Sequence, residues 1–261
     1  MFEETLMPTL ASFNSHGLED LKAASLMERV DTKYVFDLSL LLQLLPDLNK
    51  KYSILEVCAT RLCRYESVYF DTSGLLFYGM HQRGQSNRLK VRVRNYIESN
   101  IRFLEVKIKS NKGRTTKLRR QLQQGECVDS EASCRFLTEC GVPYVSILQP
   151  CHTTGYQRIA LANEDQCERI TFDINLTNRF LRDNSTNTVH LPQMVVAEVK
   201  QQKINRTTPV QRALRDLGVR ASRYSKYCMG IVLTSPQQLP IKTNRFKRIE
   251  RKISHFQSIS N

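Results

Sequence analysis

Six stretches of this chain alternate with a period of two, and each keeps its charge on one face. Arg88-Leu89-Lys90-Val91-Arg92-Val93-Arg94 sets four cations against Leu89, Val91 and Val93. In Phe103 to Lys109, the residues Glu105, Lys107 and Lys109 oppose Leu104, Val106 and Ile108. Arg169, Thr171 and Asp173 oppose Ile170, Phe172 and Ile174; Glu198 and Lys200 oppose Ala197 and Val199. Tyr156 shares a face with Arg158, and Arg29 and Asp31 share one with Lys33. Successive side chains of a strand point to opposite faces, so this is a strand pattern. Like charges at every second position repel, which is tolerable in bulk water or against a bound polyanion. A surface that serves only solubility mixes both signs. A barrel with apolar residues outward beneath helices, and charges in its lumen, accommodates all six stretches together.

The strand candidates are 29–36, 64–71, 88–97, 101–109, 114–121, 154–161, 169–176, 194–202 and 227–233. So many strands with few helices between them predict an antiparallel barrel or sandwich. Helices are expected over 38–45, closed by Pro46, over 129–140 with Asp129 or Ser130 as N-cap, and over 208–217 with Pro209 in the first turn. Residues 1–24 read as a helical extension, 25–235 as the main domain and 236–261 as a basic tail that is either helix or frayed end. The tail carries Lys242, Arg245, Lys247, Arg248, Arg251 and Lys252, which suits solubility or a peripheral contact with a membrane surface.

Composition excludes several classes. The Leu-rich run from Leu38 to Leu45 falls far short of the ~20 residues that cross a bilayer. Glu3 and Glu4 stand where a secretory signal would be basic. Eight cysteines form no C-x-x-C pair and have no histidine cluster near them, so reduced thiols in the cytoplasm are expected rather than zinc. The net charge of +14 predicts an anionic partner: nucleic acid, anionic lipid or a polyphosphate-like substrate. A lumen of arginine and lysine holds several phosphate groups. A few carboxylates among them can share a hard divalent cation with those phosphates. That equipment suits phosphoryl transfer, which runs on positioning and charge neutralisation. There is no P-loop motif, and His81 and His152 are isolated, as loop or wall residues would be.

Read in order, Glu28-Arg29-Val30-Asp31-Thr32-Lys33-Tyr34, Val68-Tyr69-Phe70-Asp71-Thr72, Arg88 to Arg94, Phe103 to Lys107, Tyr156-Gln157-Arg158-Ile159-Ala160, Arg169 to Asp173, Ala197-Glu198-Val199-Lys200 and Arg223-Tyr224-Ser225-Lys226-Tyr227 resemble the VTC domain. That is the catalytic domain of polyphosphate polymerases, within the triphosphate tunnel metalloenzymes and related to the CYTH phosphatases. The resemblance spans about residues 25 to 233. It implies an α+β fold: an eight-stranded antiparallel tunnel with a charged lumen and helices packed outside. It implies transfer of the γ-phosphate of ATP to a growing polyphosphate chain, with Mn²⁺ or Mg²⁺. By position, Lys33, Arg92, Arg94, Lys107, Lys117, Arg158, Ser225 and Lys226 match the phosphate-handling residues. Tyr156, Lys200 and Arg223 fall on the nucleotide side. Glu198 matches the metal-binding glutamate, with Glu105 as a second candidate ligand. Lys90, Lys109, Arg119 and Asp173 share the charged face as neighbours.

The chain departs from the wider superfamily at its first motif. Many tunnel enzymes have Glu-x-Glu-x-Lys; here it is Arg29-Val30-Asp31-Thr32-Lys33, which resembles the polymerase branch. Arg223 replaces a lysine, and Lys109 a histidine, of some relatives. The SPX domain and membrane helices of fungal polymerases find no counterpart, as in a stand-alone bacterial form. Two other functions fit the residues. A hydrolase would need a carboxylate, Glu105 or Asp173, to orient water. A non-enzymatic polyanion binder is the other; nucleic acid is not expected, because stacking aromatics are not interleaved on the charged strands.

Overall fold

The protein, studied as a computed structural model, is described over residues 2–20, 30–110, 115–182, 187–236 and 239–258. Expectations for residues 21–29 and for residue 114 lie outside these residues. Among the described residues eleven strands form: β1 (Ser15–His16), β2 (Val30–Asp37), β3 (Ser53–Leu55), β4 (Cys63–Asp71), β5 (Arg88–Tyr96), β6 (Ile101–Lys109), β7 (Thr115–Leu122), β8 (Gln149–Asn163), β9 (Glu168–Phe180), β10 (Thr188–Leu191) and β11 (Met194–Gln201). Seven α-helices accompany them: α1 (Phe2–Ala11), α2 (Leu38–Leu48), α3 (Leu76–Arg83), α4 (Glu131–Glu139), α5 (Pro209–Asp216), α6 (Lys226–Thr234) and α7 (Lys247–Ser258).

Eight strands run in the order β2-β11-β9-β8-β4-β5-β6-β7, every neighbour antiparallel. The sheet curls, so that side chains from β2 and from β7 line one cavity. The free edge of β2 is covered by residues 221 and 222: Ala221 bridges Tyr34, and Ser222 N–H donates to the Lys33 carbonyl at 2.7 Å.

The alternation read from the sequence sets the layers. Leu89, Val91, Val93, Leu104 and Val106 face outward and join Phe77 of α3 and Leu137 of α4 in one buried cluster. Ile159, Leu161, Ile170, Phe172, Ala197 and Val199 meet the leucines of α2 and Val210 and Leu214 of α5 in another. Burying a side chain of this kind contributes about 1.5–3 kcal/mol, so both apolar faces lock outward and the charged faces are forced inward.

Two local expectations change, and one left open is decided. Residues 227–233 form part of α6, not a strand. Tyr227, Cys228, Met229, Gly230 and Ile231 are all buried, and a segment apolar on every side carries no period to distinguish helix from strand. Ser225 caps α6, its Oγ accepting from Cys228 N–H at 3.2 Å. Helix α2 continues through Pro46 to Leu48, which is itself buried. The tail holds helix α7, whose Ile249, Ile253 and Phe256 pack beside Leu191 and Met194. Those apolar side chains are therefore spent on the protein rather than offered to a bilayer.

Asp71, part of the motif on β4, has a structural task. Its carboxylate accepts from the N–H groups of Thr72, Phe77 and Tyr78 at 2.7, 2.9 and 3.0 Å, and from the Tyr227 hydroxyl. It thereby satisfies the N-terminus of α3, where Leu75 at the cap has no side chain to do so.

Candidate functional site

The cavity is lined by nine cations, Lys33, Lys90, Arg92, Arg94, Lys107, Lys117, Arg158, Lys200 and Lys226, and by the carboxylates Asp31, Asp173 and Glu198. Glu105 lies beneath it, fully buried. The structure thus brings together every phosphate-handling candidate, Ser225 included, with Glu198 and Lys200.

Cross-strand register decides which charges meet. Lys33 faces Glu198 on β2 and β11, Arg158 faces Asp173 on β8 and β9, and Arg92 faces Glu105 on β5 and β6. Each carboxylate takes a second cation. Asp173 accepts from Arg158 Nε and Nη2 at 2.6 and 2.9 Å and from Lys226. Glu105 accepts from Arg92 Nε and Nη2 at 2.7 and 2.6 Å and pairs with Lys117. Glu198 pairs with Lys33 and, at 3.3 Å, with Lys200. Burial alone would raise all three carboxyl pKa values. The cations overcome it: Arg92, Arg94 and Lys117 hold Glu105 at about 2, and Arg158 with Lys226 holds Asp173 well below the usual carboxylate range. Lys200 and Lys33 do the same for Glu198.

A second row is matched only at Lys117, by Glu105. Lys90, Lys107 and Lys117 face one another across β5, β6 and β7. Like charges directly opposite are destabilising. Lys90 donates to Ser225 Oγ at 2.9 Å. Neither Lys90 nor Lys107 forms an ion pair among the described residues. Burial, then Arg92, draws the Lys107 pKa far down, opposed by Glu198. Burial also lowers Lys117, which Glu105 only partly restores, to about 8. Arg94 reaches Ser67 Oγ at 3.5 Å and stands 5.8 Å from the Tyr65 ring. The N-terminus of α6, at Ser225 and Lys226, opens into the same space and adds its positive end.

Tyr156 is buried. Its ring stacks on Tyr65 at 5.4 Å, with Arg158 at 5.2 Å and Lys226 at 4.5 Å from its centroid. It forms wall beneath two cations rather than an open platform. Arg223 does not join it: Arg223 is exposed, and its charged neighbours are Arg88 and Lys109. His152 is fully buried, held neutral with its pKa down at about 3, and its ring occupies the space where a Cβ on Gly230 would stand. His81 bonds the Leu89 carbonyl at 2.9 Å. All eight cysteines are free thiols.

Sequence reasoning underrated Lys90 and Asp173 and missed Tyr65 and Tyr69. The last two share the inward face of β4 with Ser67, opposite Tyr96 and Arg92. The signal was present in the alternation Tyr65-x-Ser67-x-Tyr69, which carries no charge and so attracted no notice.

These features define a triphosphate-tunnel fold. The sequence profile of the VTC domain matches residues 28–234, and the chain belongs to that family. No curated protein matches it in sequence. Among solved structures, a proposed adenylate cyclase from Bacillus halodurans aligns with a TM-score of 0.50 at 12% identity, covering 84% of this chain and 97% of that one. A Hippeastrum protein proposed as an adenylyl cyclase, whose dominant activity is described as triphosphatase, aligns at 0.48 with 14% identity, over 81% of this chain and 98% of that one. The PH1819 protein of Pyrococcus horikoshii aligns at 0.45 with 15% identity, over 78% and 96%. No helix among the described residues is long and apolar enough to cross a membrane.

Proposed function

We propose that the protein transfers the γ-phosphate of ATP to the end of an inorganic polyphosphate chain. The observation that carries this is the row of facing lysines inside the tunnel, beside Arg94; Lys90 and Lys107 have no ion pair among the described residues, and a linear polyanion would neutralise them. The cavity of about 170 Å³ is smaller than the ~300–1,000 Å³ of sites that enclose whole drug-sized ligands. It suits a thread of phosphates with the nucleoside held outside.

In this reading a terminal phosphate oxygen of the chain attacks the γ-phosphorus. A new P–O bond forms, the bond between γ-phosphorus and the bridging oxygen breaks, and its electron pair leaves on ADP. Arg92, Arg94, Lys107, Lys117, Arg158, Lys33, Lys226 and Ser225 hold phosphate oxygens and stabilise the charge that shifts between them. Lys200 and Tyr156 are kept as nucleotide-side residues, Tyr156 through the cations it supports; Arg223, exposed beside Arg88 and Lys109, is not.

The polymerase is favoured over the hydrolase by the state of Glu105 and Asp173. Each is locked between two cations with its pKa depressed, which makes it a poor base for activating water. An attacking phosphate oxygen is already anionic and needs none.

The donor set bears on the metal. Among the described residues no three of His, Cys, Asp and Glu cluster as ligands. Glu198 and Asp31 do line the same stretch, on adjoining strands. One or two carboxylates completed by substrate phosphates is how Mg²⁺ is usually held, and Mn²⁺ suits the same oxygen ligands. Glu198, with Asp31, would therefore hold the ion together with the phosphate chain. The bound ion supplies charge neutralisation at the phosphates. Glu105, fully buried beneath the cavity rather than lining it as Glu198 does, is the weaker of the two expected metal ligands.

The test is a product assay with ATP and Mn²⁺, with and without a short polyphosphate primer, reading polymer on a gel and free phosphate in parallel. A polymer ladder is expected, lost about 100-fold or more in Arg92→Ala. Free phosphate without polymer makes the protein a triphosphatase. Full polymer yield from folded Arg92→Ala and Glu198→Ala variants removes the lumen from the mechanism.

A further inference from the structure

The family match ends at residue 234, yet residues 239–258 are folded onto the tunnel. The Lys242 carbonyl accepts from the Tyr78 hydroxyl at 2.8 Å. The Asn244 side chain accepts from that of Gln82. Phe246 packs on Tyr78 with ring centroids 6.0 Å apart, and α7 follows with its buried Ile253.

Between these anchors stands Arg245, exposed, its guanidinium laid over Gly84 where a Cβ would collide with it. Gly84 also has φ +71°, so glycine is required there on both counts. Helix α3 does not need this arginine. Its last turn is already closed by Gly84 N–H on the His81 carbonyl and Gln85 N–H on the Met80 carbonyl. Arg245 makes no hydrogen bond or ion pair among the described residues.

One residue along, Arg88 Nη1 donates to the Gln85 carbonyl at 2.8 Å, and Arg88 directly faces Lys109 across β5 and β6. Burial lowers the proton affinity of both, and Arg245 and Arg223 lower it further; neither forms an ion pair with a carboxylate among the described residues. The cationic field continues inward, from Lys109 to Lys33 and from Arg88 to Lys90. Cations without an ion pair among the described residues thus run from Lys107 and Lys90 through Lys109 and Arg88 to Arg245 at the surface.

We propose that the C-terminal segment completes the phosphate-chain site: Arg245 joins Arg88, Lys109 and Arg223 in a basic mouth that holds a linear polyphosphate where it extends beyond the lumen. This rests on the polyphosphate reading above. A tripolyphosphate occupies the lumen alone, whereas a long chain also engages the mouth.

The test compares binding of tripolyphosphate and of long-chain polyphosphate to the full chain, as wild type, Arg245→Ala and Arg245→Lys, across a range of salt. Arg245→Ala should weaken the long chain by about threefold to tenfold and flatten its salt dependence. Tripolyphosphate affinity should stay unchanged, and Arg245→Lys should retain most of the long-chain binding. Equal losses for both probes, or none for either, overturn the mouth while leaving the lumen intact. A wild type that does not bind tripolyphosphate overturns the lumen reading and this inference with it.

Discussion

On the wall formed by β2, β11, β9 and β8, two carboxylates each sit between two cations: Asp173 between Arg158 and Lys226, Glu198 between Lys33 and Lys200. On the wall of β5, β6 and β7, three lysines stand in one cross-strand row, and two residues further along β5 and β6 Arg92 faces the single acid Glu105. The matched clusters fix side chains in place while the protein is empty. The lysine row stores repulsion that a phosphate chain relieves. Removing an acid and removing a base should therefore act with opposite signs on the two walls.

The largest effect is expected at Asp173. In Asp173→Asn, Arg158 and Lys226 lose their anion in a buried site, and breaking such a pair costs about 3–5 kcal/mol. Denaturant unfolding measures it, and tripolyphosphate should restore part of the loss by supplying the missing charge. An unchanged midpoint would mean that the matched wall is not structural. Lys107→Met should act oppositely. Removing one member of the like-charged row should leave the empty protein as stable or more stable by about 1 kcal/mol. It should weaken tripolyphosphate about tenfold or more, as expected for a lost charge-assisted contact. A destabilised Lys107→Met protein with intact affinity would erase the distinction between the walls.

The layers, the eight tunnel strands and most of the lumen were legible in the sequence because alternation fixes which face of a strand is buried. Register was not legible. That Lys90, Lys107 and Lys117 form one row depends on how β5, β6 and β7 align, and alternation is indifferent to a slip of two residues. Segment 227–233 deceived because all its faces are covered, so no period remained. Asp71 sits in a recognisable motif, but its partners Phe77, Tyr78 and Tyr227 lie on helices that only the fold brings to it. The tail read as solvated because its basic residues outnumber Ile249, Ile253 and Phe256, and those three pay off only against a surface supplied by β10 and β11.

The account stands most directly on proton linkage in the lysine row. With Lys117 held at about 8 when the tunnel is empty and Lys107 drawn down as well, bound phosphate should raise both. Below the empty-state value Lys117 is already charged and adds no pH dependence of its own. Affinity should then fall as pH rises through about 8, where binding must supply the proton. Calorimetric titration of tripolyphosphate at pH 8, in buffers of different ionisation enthalpy, reads this as net proton uptake. The account predicts saturable binding with protons taken up, reduced in Lys107→Met. Saturable binding with no proton exchange, or no binding, would contradict it.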